Sequence, residues 1–402
     1  MTMNPQPLYD LSPALRLMFM GVVVALGPLA WVWLRNAQAA PARRLQALTV
    51  LTLFLTFDLV VFGAFTRLTD SGLGCPDWPG CYGNASPSGA QAEISRAQAE
   101  MPTGPVTHGK AWIEMVHRYL ATGVGVLILT LAAATWLQRK RGAPVNPWWP
   151  TVTLAWVCLQ GAFGALTVTM KLFPAIVTLH LLGGMVLLAL LCRQTVVYEH
   201  VQRGKGPSAI SPRAIALLFA AVALLWLQIA LGGWVSTNYA VLACREFPTC
   251  QGSWWPAMDW RHGFELWREL GKTAAGRHLD FAALTAIHYA HRLLAYLVLA
   301  VLLVTAWQLH AGGALRRQAR WIAGLALWQL ASGLSNVVLG WPIVAALAHT
   351  GGAAALVVVL TWSLCESRVG SMRASPHPHL HPGKQASRGP RDPLPEGEGV
   401  TQ

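Results

Sequence analysis

Charged side chains are scarce in this 402-residue chain, in which Asp, Glu, Lys and Arg together make up 12%. An ordinary soluble domain carries roughly 25%, and a disordered chain combines high charge with low hydrophobicity. The shortage of charge therefore excludes both a soluble globular enzyme and a disordered protein.

Apolar residues take the place of charge and make up 54% of the chain. They cluster in runs of about 20 residues, the length that crosses a bilayer as a helix. Because lipid offers no partner to unsatisfied backbone groups, the sequence predicts an all-α fold class, a polytopic helical membrane protein. We predict nine spans, at 17–34, 46–66, 111–137, 148–170, 175–192, 214–236, 282–309, 321–341 and 343–365.

The formal net charge of +13 reflects membrane topology and not a nucleic-acid partner. Lys and Arg lie in the short loops that follow spans one, three, five and seven and in the tail after span nine, and such residues mark cytoplasmic loops. This pattern predicts a bacterial inner-membrane protein with its N-terminus outside and its C-terminus in the cytoplasm. We interpret the first span as a retained helix, although Ala37-Gln38-Ala39 resembles a signal-peptide cleavage site.

Spans two to nine contain an internal repeat at an offset of 169 residues. Matching pairs include Gly63 with Gly232, and the offset becomes 174 where His117-Arg118 matches His291-Arg292. Matched spans run in the same direction, which indicates two parallel repeats about an axis along the membrane normal. We predict an N-terminal extra helix in 1–44, four-helix bundles in 45–200 and 201–366, and a disordered cytoplasmic tail in 367–402.

Four intramembrane histidines stand at matched depth, one pair in each half. Polar groups in lipid usually face the bundle interior and serve a function, and two imidazoles at one level suit a six-coordinate haem iron. The alternative is that each histidine only forms a hydrogen bond between helices. The four candidates for iron ligands are His117, His180, His291 and His349.

The two halves differ one turn before the first histidine of each pair, where Glu114 matches His288. A carboxylate beside an iron ligand is a candidate for proton transfer or for stabilising a cation. An interfacial Glu114 that pairs with Lys110 or Arg118 is an equally good interpretation. Arg118 and Arg292 follow their histidines directly and are candidates for binding haem propionates.

Two cysteine pairs with identical spacing lie in the two long polar loops, at Cys75 and Cys81 and at Cys244 and Cys250. On the predicted topology both loops face outward, where oxidation is permitted. We predict the disulfides Cys75–Cys81 and Cys244–Cys250. The spacing does not favour zinc, whereas a redox-active role stays an alternative to a structural one.

The segment from Gly63 to Cys81, which includes Arg67, resembles the signature of haem A synthases. So do Glu114-Met-Val-His117-Arg118, His180 with its glycine pair, His291-Arg292 and His349-Thr-Gly-Gly. The resemblance covers about 45–365. It implies an eight-helix core that oxidises the C8 methyl of haem O to a formyl group by two hydroxylations and loss of water.

The resemblance also implies roles for single residues. His291 and His349 would bind a haem b cofactor, and His117 and His180 would flank the substrate haem O. Glu114 would be the catalytic carboxylate, and Arg67 would contribute to cofactor binding. The extra helix and the tail after 366 have no counterpart in the resemblance.

Two further functions compete with haem A synthesis, a non-catalytic bis-histidine cytochrome b and a haem-handling assembly factor of an oxidase. Glu114 favours the enzyme, because a pure electron carrier needs no carboxylate at one site. Expected partners are membrane lipid and an electron donor, either a quinol or a ferredoxin. Haem O synthase and a second copy of the chain are further candidates.

Overall fold

The computed structural model describes residues 12–369, and nine helices in that range are long and apolar enough to cross a membrane. This confirms the prediction of a polytopic helical membrane protein. The nine helices are α1 (Ser12–Arg35), α2 (Pro41–Leu68), α4 (His108–Lys140), α5 (Trp148–Thr169), α6 (Pro174–Arg203), α7 (Pro212–Thr237), α9 (Phe281–Gly312), α10 (Arg316–Val338) and α11 (Ile343–Cys365).

Most of the helices extend beyond the apolar runs that predicted them. Helix α6 continues to Arg203, whereas its apolar run ends at 192. Hydropathy locates only the part of a helix that lies in hydrocarbon, and hydrogen bonding continues into the polar layer. Gly204 then ends α6 in the left-handed conformation, with φ 60°, which glycine adopts without steric cost.

The spans pack as two closed groups of four with the same connectivity. In the first group α2 contacts α4 and α6, and α5 contacts α4 and α6; in the second, α7, α9, α10 and α11 repeat this arrangement. Between the groups α6 packs against α11, while α2 contacts α11 just as α7 contacts α6. Because α2 matches α7 and α6 matches α11, the halves are related by a pseudo-twofold axis. The exact limits 45–200 and 201–366 stay a prediction.

Helix α1 packs outside this symmetric core, against α4 and α2. The contact is close because small residues line it: a Cβ on Gly21 would lie 2.4 Å from Cγ2 of Thr122, and one on Gly123 would lie 2.9 Å from Cγ1 of Val24. Small residues let membrane helices approach each other closely. The side chains of α1 at Ala25 and Val32 join a buried cluster with α2, α4 and α6.

The loops between spans contain short elements that hydropathy did not predict. Helix α3 (Gln91–Glu100) and the short helix α8 (Trp260–Gly263) lie in the two long loops, on the side of the molecule that we call the disulfide side. At the opposite side, strands β1 (Ser208–Ile210) and β2 (Ser367–Val369) pair in parallel. The prediction of a disordered tail from 367 is therefore wrong for the three residues of β2, and residues 370–402 lie outside the described residues.

Candidate functional site

Each of the four predicted histidines lies against a glycine of a neighbouring helix. A Cβ on Gly63 would be 3.1 Å from Nε2 of His117, and one on Gly232 would be 3.0 Å from Cε1 of His291. His180 and His349 face glycines at matched positions on α5 and α10 in the same way, with distances of 3.5 and 3.2 Å to Gly164 and Gly333. The absence of a side chain at these four positions leaves room for two imidazoles in each half.

The histidine pair of the second half is brought together by α9 and α11. The ring centroids of His291 and His349 lie 6.4 Å apart, and the ring planes are inclined by 81°. Metal–imidazole bonds are about 2.0–2.1 Å long, so two imidazoles on opposite sides of one metal ion have centroids about 6 Å apart. The observed pair therefore fits bis-histidine binding of a haem iron.

Both histidines of the second half are held by polar side chains. Oγ of Ser332 lies 3.0 Å from Nδ1 of His349. Nε2 of Gln228 donates to the backbone carbonyl of His291 at 3.1 Å and lies 3.1 Å from its Nδ1 and 3.3 Å from its Nε2. A hydrogen bond to one ring nitrogen, as at His349, fixes the tautomer and the orientation of an imidazole that binds a metal.

The histidine pair of the first half has different surroundings. His117 stacks in parallel on Phe62, with centroids 6.3 Å apart. Nδ1 of His180 is buried and has no hydrogen-bond partner among the described residues. A buried polar atom without a partner is rare, and this one leaves His180 without the hydrogen bond that orients His349.

Sequence reasoning missed this difference, although the repeat contains the signal. At the offset of 169, Gln228 matches Leu59 and Ser332 matches Phe163. Polar partners are therefore present in the second half at positions that are apolar in the first. A comparison of the two halves for polar-to-apolar changes beside each histidine would have identified both residues.

Glu114 is buried, with 4% of its surface exposed, and both of its oxygens are engaged. Nη2 of Arg118 lies 2.5 Å from Oε1, and the backbone N–H of Cys75 donates to Oε2 at 2.8 Å. Of the two partners expected from the sequence, the structure selects Arg118; Lys110 donates instead to the carbonyl of Gly104. The matched residue His288 lies 3.1 Å, through Nδ1, from the carbonyl oxygen of Ala240.

Arg118 and Arg292 make equivalent contacts with the two disulfide loops. Arg118 donates to the carbonyls of Asp77, Pro79 and Gly80. Arg292 donates to the matched carbonyls, those of Glu246, Pro248 and Thr249. These contacts direct both guanidinium groups at the loops, and the binding of propionates by these residues stays a prediction.

The two predicted disulfides, Cys75–Cys81 and Cys244–Cys250, are both present. All four cysteines have 0% of their surface exposed, so a soluble reductant has no direct access to the sulfurs. In each loop an acidic side chain accepts backbone N–H groups, Asp77 from Tyr82 and Gly83 and Glu246 from Gly252. These features favour the structural interpretation of the disulfides over the redox-active one.

Arg67 lies at the disulfide-side end of α2 and joins the two halves. Its Nη2 donates to the carbonyl of Ser236 at 2.7 Å, and its Nη1 lies 3.3 Å from Oδ1 of Asp70. The predicted role of Arg67 in cofactor binding remains a prediction. Among the described residues no group of three or more His, Cys, Asp or Glu side chains could hold a metal ion.

Comparisons with known proteins show the family of this chain. Residues 46–361 match the COX15-CtaA family, described as cytochrome oxidase assembly protein. The chain is 37% identical over 313 residues to a heme A synthase of Shewanella oneidensis, covering 77% of this chain and 92% of that protein. Heme A synthases of Rhizorhabdus wittichii and a Methylobacterium species are 27% and 29% identical over 346 and 373 residues, covering 81% and 87% of this chain and 95% and 98% of those proteins.

Proposed function

The chain belongs to the COX15-CtaA family, and on that premise we propose that it is a haem A synthase that oxidises the C8 methyl of haem O to a formyl group. The observation that carries the proposal is the asymmetry of the two histidine sites. One site has a polar side chain beside each imidazole, and the other has a buried carboxylate one turn from its histidine. A protein that only carries electrons has no need for this difference.

The second half is suited to a permanent cofactor. Ser332 contacts Nδ1 of His349, and Gln228 lies beside the imidazole of His291; polar partners beside a metal-binding imidazole strengthen the binding of the metal. We propose that these two histidines bind haem b, which supplies one-electron redox chemistry when bound. The residues present fit this group in number, type and spacing.

The first half is suited to a substrate that enters and leaves. His117 and His180 do not have the matched polar partners, because Leu59 and Phe163 occupy those positions. Imidazoles that no hydrogen bond orients bind a haem iron less tightly. We therefore assign haem O, as substrate, to the site between α4 and α6.

Glu114 is the reactive carboxylate in this proposal. Arg118 and the N–H of Cys75 both donate to it, which suits an ionised carboxylate in a fixed position. Residues three apart on a helix are neighbours, so Glu114 lies beside His117 on the disulfide side. A fixed negative charge there stabilises positive charge that develops at the methyl carbon during its oxidation.

The proposal includes the location of the chain and its partners. Disulfides on one side and basic loops on the other support a bacterial inner membrane, with the N-terminus outside and the C-terminus in the cytoplasm. The electrons would come from a quinol or a ferredoxin. Haem O synthase is the proposed partner that supplies the substrate.

Haem extraction followed by chromatography tests the proposal. The host makes haem O and has no haem A synthase of its own, and it is analysed with and without this chain. We expect haem A, or its hydroxylated precursor, only when the chain is present. Bound haem b with unchanged haem O, in the presence of a suitable electron donor, would instead support the bis-histidine cytochrome. His291→Ala tests the cofactor assignment, because it should lower the haem b content of the purified protein.

A further inference from the structure

A cluster of polar residues joins the two halves on the disulfide side, and we propose that it holds the two histidine sites in the relative position that electron transfer between them needs. We call this cluster, made of Arg67, Asp70, Ser236 and Tyr239, the axial clasp. The proposal rests on the proposed function and adds a positioning role for Arg67 and Tyr239.

The residues of the axial clasp contact one another across the two halves. Arg67 donates to the carbonyl of Ser236 at 2.7 Å and pairs with Asp70 at 3.3 Å. The hydroxyl of Tyr239 donates to Oδ1 of Asp70 at 2.6 Å. The guanidinium of Arg67 also lies over the ring of Tyr239, 4.0 Å from its centroid. Burial raises the pKa of the Tyr239 phenol although Arg67 opposes this, so the phenol stays protonated as the donor to Asp70.

The sequence separation of the contacting residues indicates that the axial clasp lies on the pseudo-twofold axis. Arg67 contacts Ser236, and Asp70 contacts Tyr239, and both pairs are separated by the repeat offset of 169 residues. In a twofold arrangement a residue touches its own symmetry mate only close to the axis. The cluster therefore joins the two halves at the point about which they are related.

The axial clasp is one helical turn from both histidine sites. Gly63 precedes Arg67 by four residues on α2, and Gly232 precedes Ser236 by four residues on α7. One turn of helix rises 5.4 Å. Those two glycines contact the imidazoles of His117 and His291, so the bond between Arg67 and Ser236 joins the walls of the substrate site and of the cofactor site.

From this position the axial clasp can limit the movement of one histidine site relative to the other. The two helices are rigid over one turn, so a shift between their ends moves one site relative to the other. Arg67 and Asp70 come from the first half, whereas the second half provides the Ser236 carbonyl and the Tyr239 phenol. Loss of these bonds should widen the range of separations between the sites without removing any iron ligand.

Two variants weaken the axial clasp in different ways. Tyr239→Phe removes only the hydroxyl that bonds Asp70, and Arg67→Lys keeps the charge but loses the planar fork that reaches Ser236 and Asp70 together. Arg96→Lys is the matched control, because Arg96 pairs only with the exposed Glu100 on α3. Both test variants are conservative enough to keep the fold.

The first readout is a distance that does not depend on activity. Nitroxide labels are attached at Thr169→Cys and Val338→Cys, which are exposed residues at matched positions at the ends of α5 and α10. The three free cysteines are first replaced by alanine; they are Cys158, Cys192 and Cys365. Double electron–electron resonance spectroscopy should give a broader or shifted distribution of the label-to-label distance for both test variants. It should give an unchanged distribution for Arg96→Lys.

The second readout separates positioning from cofactor binding. Haem b content and its reduced-minus-oxidised spectrum should equal those of the wild type, while haem A formation falls about threefold or more, the scale of coupling effects in such networks. Unchanged distances and unchanged haem A formation in both test variants would overturn the proposal. Loss of haem b in Arg67→Lys, with no effect of Tyr239→Phe on any readout, would overturn the proposal. It would indicate instead that Arg67 contacts the cofactor directly. If the wild type forms no haem A, the proposed function fails, and the distance measurement still decides the role of the axial clasp.

Discussion

The buried ion pair between Glu114 and Arg118 allows a sharp test, because the second half contains a matched arginine without a carboxylate. Arg118→Gln and Arg292→Gln both remove the donors to three loop carbonyls. Only Arg118→Gln also leaves a buried carboxylate without its cation, since the side chains of Arg118 and Glu114 are 8% and 5% exposed. The loss of the loop contacts is common to both variants and cancels when they are compared.

We expect Arg118→Gln to lower the free energy of unfolding by ~3–5 kcal/mol more than Arg292→Gln does, because breaking a buried ion pair leaves an uncompensated charge. The assay is unfolding in mixed detergent micelles, followed by tryptophan fluorescence. The double variant Glu114→Gln/Arg118→Gln should recover most of the excess loss. Equal losses in the two arginine variants, or no recovery in the double variant, would refute the assignment of the ion pair.

Two more predictions concern the cofactor site and the extra helix. Ser332→Ala removes the hydrogen bond to Nδ1 of His349 and should lower haem b affinity ~10–100-fold, measured by haem titration of the purified protein. Ser335→Ala, which loses only a bond to a backbone carbonyl of its own helix, should leave that affinity unchanged; equal effects of the two variants would contradict the role of Ser332. Gly21→Leu forces a side chain into Thr122 and should destabilise the packing of α1 by ~1–3 kcal/mol, seen as faster proteolysis after α1. Gly27→Leu is the control, since a Cβ there meets no described atom within 4 Å, and similar proteolysis of both variants would contradict the packing of α1.

The sequence predicted the parts of the fold that follow from local composition. The nine spans follow from apolar runs, because the cost of burying backbone groups in lipid is local. Strands β1 and β2 could not be predicted in this way, since Ser208 pairs with Ser367 across nearly the whole second half. Helix α3 was missed because its surface is polar and only Ile94 is buried.

The candidate site was predicted in part. Repetition identified the four histidines, and the structure brings the rings of His291 and His349 to within 6.4 Å of each other. The surroundings of Glu114 and Arg118 depend on the folded disulfide loop, which reaches their side chains from about 40 residues away. Only a three-dimensional arrangement shows that these residues contact the loop and each other.

The measurement that tests the central claim most directly is the haem composition of Glu114→Gln. Purified from a host that makes haem O, this variant should retain haem b at the wild-type level, because its cofactor histidines are in the other half. It should contain unreacted haem O and no haem A, because the charge beside His117 is lost. Formation of haem A at the wild-type rate would contradict the division of the chain into a reacting half and an electron-carrying half.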